Sequence, residues 1–200
     1  MSREDSGTRY LLRLRNEQRY FLTDRNRLSR LAYEAVRSFG ADVGNLRISK
    51  YAVELDLLLN SEASLEEAAK SIEKTLGARL TLRKLDVAGP SLEKEEAVRL
   101  GVDLFNGERY WESHEAFESA WRNSAGAEKE FLQGIILAAA ALVHLQKNEG
   151  PVSLSVMKRA YEKFAGHQGR YFGIDAGDLK EKVNRILSTR KVGFFKIDTP

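Results

Sequence analysis

Leu104-Phe105-Asn106-Gly107-Glu108-Arg109-Tyr110-Trp111-Glu112-Ser113-His114-Glu115-Ala116-Phe117-Glu118-Ser119-Ala120-Trp121 decides the class of the C-terminal half, together with Phe131-Leu132-Gln133-Gly134-Ile135-Ile136-Leu137-Ala138-Ala139-Ala140-Ala141-Leu142-Val143-His144. In the first run Trp111, His114, Glu118 and Trp121 are spaced 3, 4 and 3, which at 100° per residue is one stripe of a helix. The second run is apolar nearly all round, as a helix buried among others must be. Asn106-Gly107 and Asn123-Ser124-Ala125-Gly126 break the chain on either side of the first helix.

The helical pattern extends in both directions. Ser91 offers a cap to a helix ending near Phe105, with Glu93, Glu95 and Glu96 suited to its positive N-terminus. Gly150-Pro151 separates the long apolar helix from one over about 153–165, and a further helix covers about 176–187. Short connections favour antiparallel neighbours, so residues 88–200 are expected to form an all-helical antiparallel bundle. Val192-Gly193-Phe194-Phe195-Lys196-Ile197 is too apolar to leave in water and is expected to dock on the bundle or on a sheet edge.

Residues 1–87 read differently. Tyr10, Leu12 and Leu14 alternate with Arg9, Arg13 and Arg15, a strand with one apolar and one basic face. Thr23-Asp24 offers N-cap chemistry to a helix carrying Leu28, Leu31, Ala32, Ala35, Val36 and Phe39, closed by Gly40. Leu46 and Ile48 alternate next, then Val53, Leu55, Leu57 and Leu59; the change of parity requires a turn or bulge around residues 49–51. Ser64-Leu65-Glu66-Glu67 is a capping-box sequence ahead of Ala68, Ala69, Ile72 and Leu76, and Leu80 and Leu82 begin a last strand. The order β-α-β-β-α-β is that of a ferredoxin-like sandwich. The chain as a whole is expected to be α+β with two domains, residues 1–87 and 88–200.

Composition narrows the chemistry. An apolar share of 42% with 30% charged residues describes a globular protein. The absence of cysteine excludes disulfides, thiolate metal sites and cysteine nucleophiles. Residues 1–8 are polar, and the apolar run from Ile135 to Leu145 is shorter than the roughly 20 residues of a membrane span, so a cytoplasmic location without membrane attachment is expected. Net charge is +3, with 16 Lys/Arg against 13 Asp/Glu in residues 1–86 and 16 against 16 in the remainder. No Gly-x-Ser-x-Gly, phosphate-binding loop or dinucleotide fingerprint occurs.

The segment from Leu104 to Arg122, continued through Phe131 to Leu145, resembles the uncharacterised family catalogued as domain of unknown function 309. Its members carry a Phe-Asn-x-Gly turn, a His-Glu-x-x-Glu-x-x-Trp helix and a Gln-Gly-(Ile/Leu)-Ile helix. The last two match as His114-Glu115-Glu118-Trp121 and Gln133-Gly134-Ile135-Ile136. The first matches in part: glycine follows Asn106 one place early, and Glu108 stands where the family has its glycine. The resemblance covers roughly residues 95–165 and implies an all-helical bundle, with no established activity and no cofactor.

The candidate ligand-binding residues are Trp111, His114, Glu118, Trp121 and Gln133. If the helix bearing His114 and the apolar helix run antiparallel, residues summing to about 250 face one another, which sets Gln133 beside Phe117–Glu118. His144 then lies roughly 12 Å along the axis from His114, too far to share a metal ion. His-Glu-Ala-Phe-Glu is not a zinc-protease motif, because Glu118 replaces the second histidine. No metal site is expected.

His114 has two readings: a buried polar network that fixes helix register, or one of an acid–base pair with Glu118 in a small hydrolase or lyase. A non-enzymatic binding or interaction protein, with a protein partner or self-association, is the expected role. On the sheet, Arg13, Arg15, Arg47 and Arg83 are the candidates for weak RNA contact. Glu54 and Asp56 face the first strand's arginines, however, and the central strands lack a stacking platform, so nucleic acid is not the expected partner. His167, in Gly166-His167-Gln168-Gly169, is expected to be a solvated loop residue.

Overall fold

A computed structural model describes residues 8–85 and 92–199. The described residues form two compact units, 8–85 with 146–148 and 92–145 with 149–199.

In the first unit the elements are β1 (Thr8–Arg15), α1 (Arg25–Val36), β2 (Ala41–Ile48), β3 (Ala52–Leu59), α2 (Leu65–Leu76) and β4 (Arg79–Lys84). The four strands form an antiparallel sheet in the order β2-β3-β1-β4. Period-two alternation places Tyr10, Leu12, Leu14, Val53, Leu55 and Leu57 in one buried cluster with Leu28, Ala32 and Val36 of α1 and Ala68, Ala69, Ile72 and Leu76 of α2. Ser71 Oγ donates to the Ala35 carbonyl at 2.8 Å and joins the two helices.

The parity change falls where the sequence requires it. Ile48 pairs with Val53, and Ser49 closes the turn by accepting from Ala52 N at 3.0 Å while its own N–H reaches Ala52 O at 2.8 Å. A further register shift between Gly44 and Arg47 accommodates Asn45 at φ +47°.

Both expected N-caps differ from expectation for one reason. Each helix is preceded by a 3-10 turn, Leu22–Asp24 before α1 and Glu62–Ser64 before α2. The unpaired amides therefore lie three residues upstream. Asp24 accepts from Phe21 N at 2.9 Å, and Ser61, not Ser64, accepts from Ala63 N.

The second unit is helical: α3 (Lys94–Asn106), α4 (Tyr110–Arg122), α5 (Gly126–Gln146), α6 (Gly150–Phe164) and α7 (Ala176–Thr189), with a two-stranded hairpin of β5 (Arg170–Tyr171) and β6 (Ile174–Asp175) before α7. The expected Ser91 cap lies outside the described residues. Two serine hydroxyls tie neighbouring helices: Ser113 Oγ donates to Gly101 O at 2.8 Å between α4 and α3, and Ser153 Oγ to Ala141 O at 2.6 Å between α6 and α5. Close approach at these crossings requires glycine. A Cβ at Gly101 would stand 2.9 Å from the Phe117 ring, and one at Gly134 2.5 Å from the Phe164 ring.

The apolar tail docks within this unit. Phe194 stacks on Tyr110 at 5.8 Å between centroids, Phe195 lies 5.3 Å from Phe105, and Ile197 is buried. No helix among the described residues is long and apolar enough to cross a membrane.

Candidate functional site

The stripe on α4 forms, with chemistry other than a hydrogen-bonded network. His114 stacks on Trp111, with ring centroids 6.1 Å apart and planes 10° from parallel. Its Nε2 is 3.6 Å from Glu118 Oε1, beyond hydrogen-bond length, and its buried Nδ1 has no partner. Burial pushes the imidazole below its ordinary value of 6.5 against a smaller upward pull from Glu118, so His114 is neutral at pH 7. Glu118 is more exposed and reaches Arg122 at 3.3 Å. Trp121 carries Lys129 Nζ over its ring at 4.2 Å. Among the described residues no group of three His, Asp or Glu side chains is placed to hold a metal ion.

His144 is occupied elsewhere. Its Nδ1 meets Glu149 Oε2 at 2.6 Å, closing the C-terminal turn of α5.

Gln133 lies on a different wall. Along residues 131–146 of α5 only Gln133, Leu137, Ala140 and His144 escape full burial, a stripe spaced 4, 3 and 4. Gln133 and Leu137 line an open cavity of about 580 Å³ together with Glu130, Arg159, Glu162, Lys163, Gly166 and His167. No residue of α4 lines it. The expected grouping of Gln133 with His114 and Glu118 rested on axial register, which does not fix the azimuth of a side chain around its helix.

The chemistry of this cleft is specific. Lys163 Nζ pairs with Glu130 at 2.5 Å across its mouth. Among the described residues Gln133, Arg159 and Glu162 make no side-chain hydrogen bond or ion pair. Arg159 and Glu162 are i, i+3 neighbours of opposite charge, a spacing that allows pairing, yet they stand apart. His167 is not a solvated loop residue. It is half-buried, 5.8 Å from the Phe131 ring and 5.3 Å from Tyr171, and its Nε2 meets Ala127 O at 2.9 Å. That contact makes Nε2 the donor, so in the neutral ring the buried, unpartnered Nδ1 is an acceptor. Glu162 and Lys163 lay in an ordinary charged helix pattern, and only the fold reveals that they share a cavity with Gln133. A second, more apolar cavity of about 640 Å³ between α6 and α7 is lined by Leu154, Tyr161 and Leu187 among others.

On the sheet the arginines meet carboxylates as the register dictates. Arg13 sits opposite Glu54 and pairs with it at 3.0 Å, while Arg9 reaches Asp56 at 2.7 Å. Arg47, 3% exposed, lies 3.1 Å from Asp56 and 3.5 Å from Glu54. Burial works to raise the Asp56 carboxyl; Arg47, Asn45 and Arg9 outweigh it and hold the group below its usual range. Arg13 and Arg47 are thus engaged internally, while Arg15 is largely exposed.

The turn between α3 and α4 supplies the link to known sequences. Asn106 binds the tail backbone, Gly107 has an ordinary φ of −86°, and Glu108 adopts φ +58°. The left-handed residue is therefore the one at which the resembled family has glycine. Residues 98–154 match the family described as Domain of unknown function (DUF309). The match spans most of α3, α4 with its His114 stripe, all of α5 with Gln133-Gly134, and the first part of α6. No curated protein matches the chain.

Within the matched motifs, packing accounts for Gly134, Ile135 and Ile136, which are buried, and for Trp121, which underlies Lys129. Gln133 has no such role.

Proposed function

We propose that this protein is a non-enzymatic two-domain binding protein: a ferredoxin-like domain over residues 1–87 and a helical domain over 88–200 whose α5–α6 cleft holds a small zwitterion. The β-α-β-β-α-β order with strands arranged β2-β3-β1-β4 supports the first assignment. The observation that carries the second is the set of unpaired complementary groups around one cavity. Arg159 offers a bidentate donor for a carboxylate, Glu162 an acceptor for an ammonium group, and the Gln133 amide both a donor and an acceptor. A ligand of the amino-acid class satisfies all three without importing net charge. Gln133 is half-buried while Arg159 and Glu162 are exposed, so a ligand gains by exchanging their water for charge-assisted hydrogen bonds.

Titration calorimetry with the standard L-amino acids, and with acetate and methylammonium as single-charge controls, tests this reading. Saturable heat with one or more amino acids, lost in Arg159→Met and Gln133→Leu and retained in His114→Gln, is expected. Heat that survives Arg159→Met and disappears in His114→Gln moves the site to α4.

That outcome would favour a second reading, an acid–base enzyme using His114 and Glu118. Its support is the neutral imidazole of His114, partly open to solvent with Glu118 alongside. The cleft is preferred because more complementary groups converge on it.

A further inference from the structure

The loop between β1 and α1 and the turn between β2 and β3 lie together at one end of the first unit, joined through Asn16. Its N–H donates to Tyr51 O at 3.0 Å, and its Nδ2 donates to Ser49 O at 2.9 Å and to Tyr20 O at 3.1 Å. Its Oδ1 accepts from Tyr20 N at 2.8 Å. Asn16 is 8% exposed, so a buried amide braces both loops at once.

What the brace presents is unusual for a surface. Phe21 is 73% exposed and Tyr51 54%. A lone exposed ring needs no explanation, since much of any protein surface is apolar. Here two rings stand on one braced platform among cations. Lys50 Nζ lies 5.2 Å from the Tyr51 ring centroid, and Arg27 lies 5.5 Å from that of Tyr20. Arg15 is 61% exposed with only a 3.7 Å approach from Glu17.

Arg19 is exposed, occupies the left-handed region at φ +55°, and among the described residues has no side-chain hydrogen bond or ion pair. A non-glycine residue in that conformation costs energy, and such residues collect at sites of function. Residues 15–30 contain five arginines, at 15, 19, 25, 27 and 30, against the carboxylates Glu17 and Asp24. The net excess is therefore local to this end.

We infer that this end of the first unit, built from Phe21, Tyr51, Arg15, Arg19 and Lys50, binds single-stranded nucleic acid by stacking bases on the two rings and contacting phosphates with the cations. Stacking on exposed rings is indifferent to base identity, because every base offers a π face, so the binding is sequence-tolerant. A duplex conceals those faces and leaves only the charge interaction. The flanking cations suit a backbone carrying one charge per nucleotide, and the affinity falls steeply with salt. Of the sheet arginines only Arg15, at the end of β1, belongs to this surface; Arg13 and Arg47 are engaged with Glu54 and Asp56.

Fluorescence anisotropy of the full chain with a labelled oligo-dT and its duplex with oligo-dA, at low and at physiological salt, tests the inference. The single strand is expected to bind more tightly than the duplex. Phe21→Ala and Tyr51→Ala should each weaken it by roughly tenfold. Arg19→Ala should reduce the slope of log K against log salt by about 0.7. Both aromatic positions are exposed, so circular dichroism of the variants should match that of the parent chain. Equal affinity for duplex, aromatic variants that bind as the parent does, or no binding at low salt overturns the inference. So does binding to phosphatidylserine vesicles that depends on Phe21 and Tyr51 while the oligonucleotide is ignored.

Discussion

Asn106 binds the backbone of Ile197 with both ends of its amide: Nδ2 donates to Ile197 O at 2.8 Å, and Oδ1 accepts from Ile197 N at 2.8 Å. One side chain at the end of α3 thus holds the tail in place 91 residues later in the chain, with Phe194 and Phe195 laid over Tyr110 and Phe105. Asn106→Leu removes both bonds and leaves the Ile197 groups unpaired, at a cost of about 1–3 kcal/mol. Thermal melts should show the loss, and limited proteolysis should cut first within residues 190–197. Unchanged melting together with a protease-resistant tail would show that the aromatic contacts alone hold it.

Glu108 offers a gain. It stands at φ +58°, where a side chain is disfavoured by roughly 1–2 kcal/mol, and glycine recovers that at an entropic cost of about 0.5–1 kcal/mol. Glu108→Gly is therefore expected to raise the urea midpoint slightly, with stability higher by up to about 1 kcal/mol. A lowered midpoint would mean that the carboxylate's own contacts outweigh the backbone strain.

The charges on the sheet are coupled. Removing Arg47 as Met leaves Glu54 and Asp56, both nearly fully buried, without their shared guanidinium, and breaking a buried pair in this way costs about 3–5 kcal/mol. Adding Glu54→Gln and Asp56→Asn to Arg47→Met should restore much of the loss. Denaturant unfolding of the single and triple variants measures both. A single variant as stable as the parent would contradict the coupling.

His114 carries a pH signature. Its folded value lies below 6.5, so under acid conditions the unfolded chain takes up a proton here that the folded chain refuses. The contribution to stability is fully present above pH 6.5 and is lost as pH falls through 6.5 toward the folded value. The depressed carboxyls, Asp56 among them, also lose stability in acid, so the difference between variants is the informative quantity. Urea unfolding at pH 7.5 and pH 5 should show a smaller loss on acidification for His114→Gln than for the parent chain. Equal losses would mean that burial does not disfavour the charged ring.

Much of the architecture was legible because periodicity reports which face is buried. The alternation of Tyr10, Leu12 and Leu14, the helical spacing of Ala68, Ile72 and Leu76, and the break at Asn106-Gly107 marked strands and helices, while Gly150-Pro151, read as a separator, forms the first turn of α6. The caps were not legible, since nothing in Ser61-Glu62-Ala63-Ser64 states that a 3-10 turn precedes the helix. The β5–β6 hairpin was hidden by its turn, Phe172-Gly173, which places an aromatic at φ +53° where an Asn or Asp would have announced it.

The site was half legible. The His114 stripe follows from spacing on one helix. The cleft depends on which way Gln133 points from an almost wholly buried α5, and on α6 bringing Arg159 and Glu162 opposite it. Those are tertiary facts with no local signature, whereas the positive φ of Glu108 does have one, in the displaced glycine of its turn.

The most direct test of the zwitterion cleft is a map of backbone amide shifts on titrating the isotopically labelled chain with the L-amino acid that gives the largest binding heat. The perturbed amides are expected to gather at Gln133, Arg159, Glu162, Gly166 and His167, with Trp111, His114 and Glu118 unmoved. Shifts gathered on Trp111, His114 and Glu118, with residues 159–167 silent, would contradict the account.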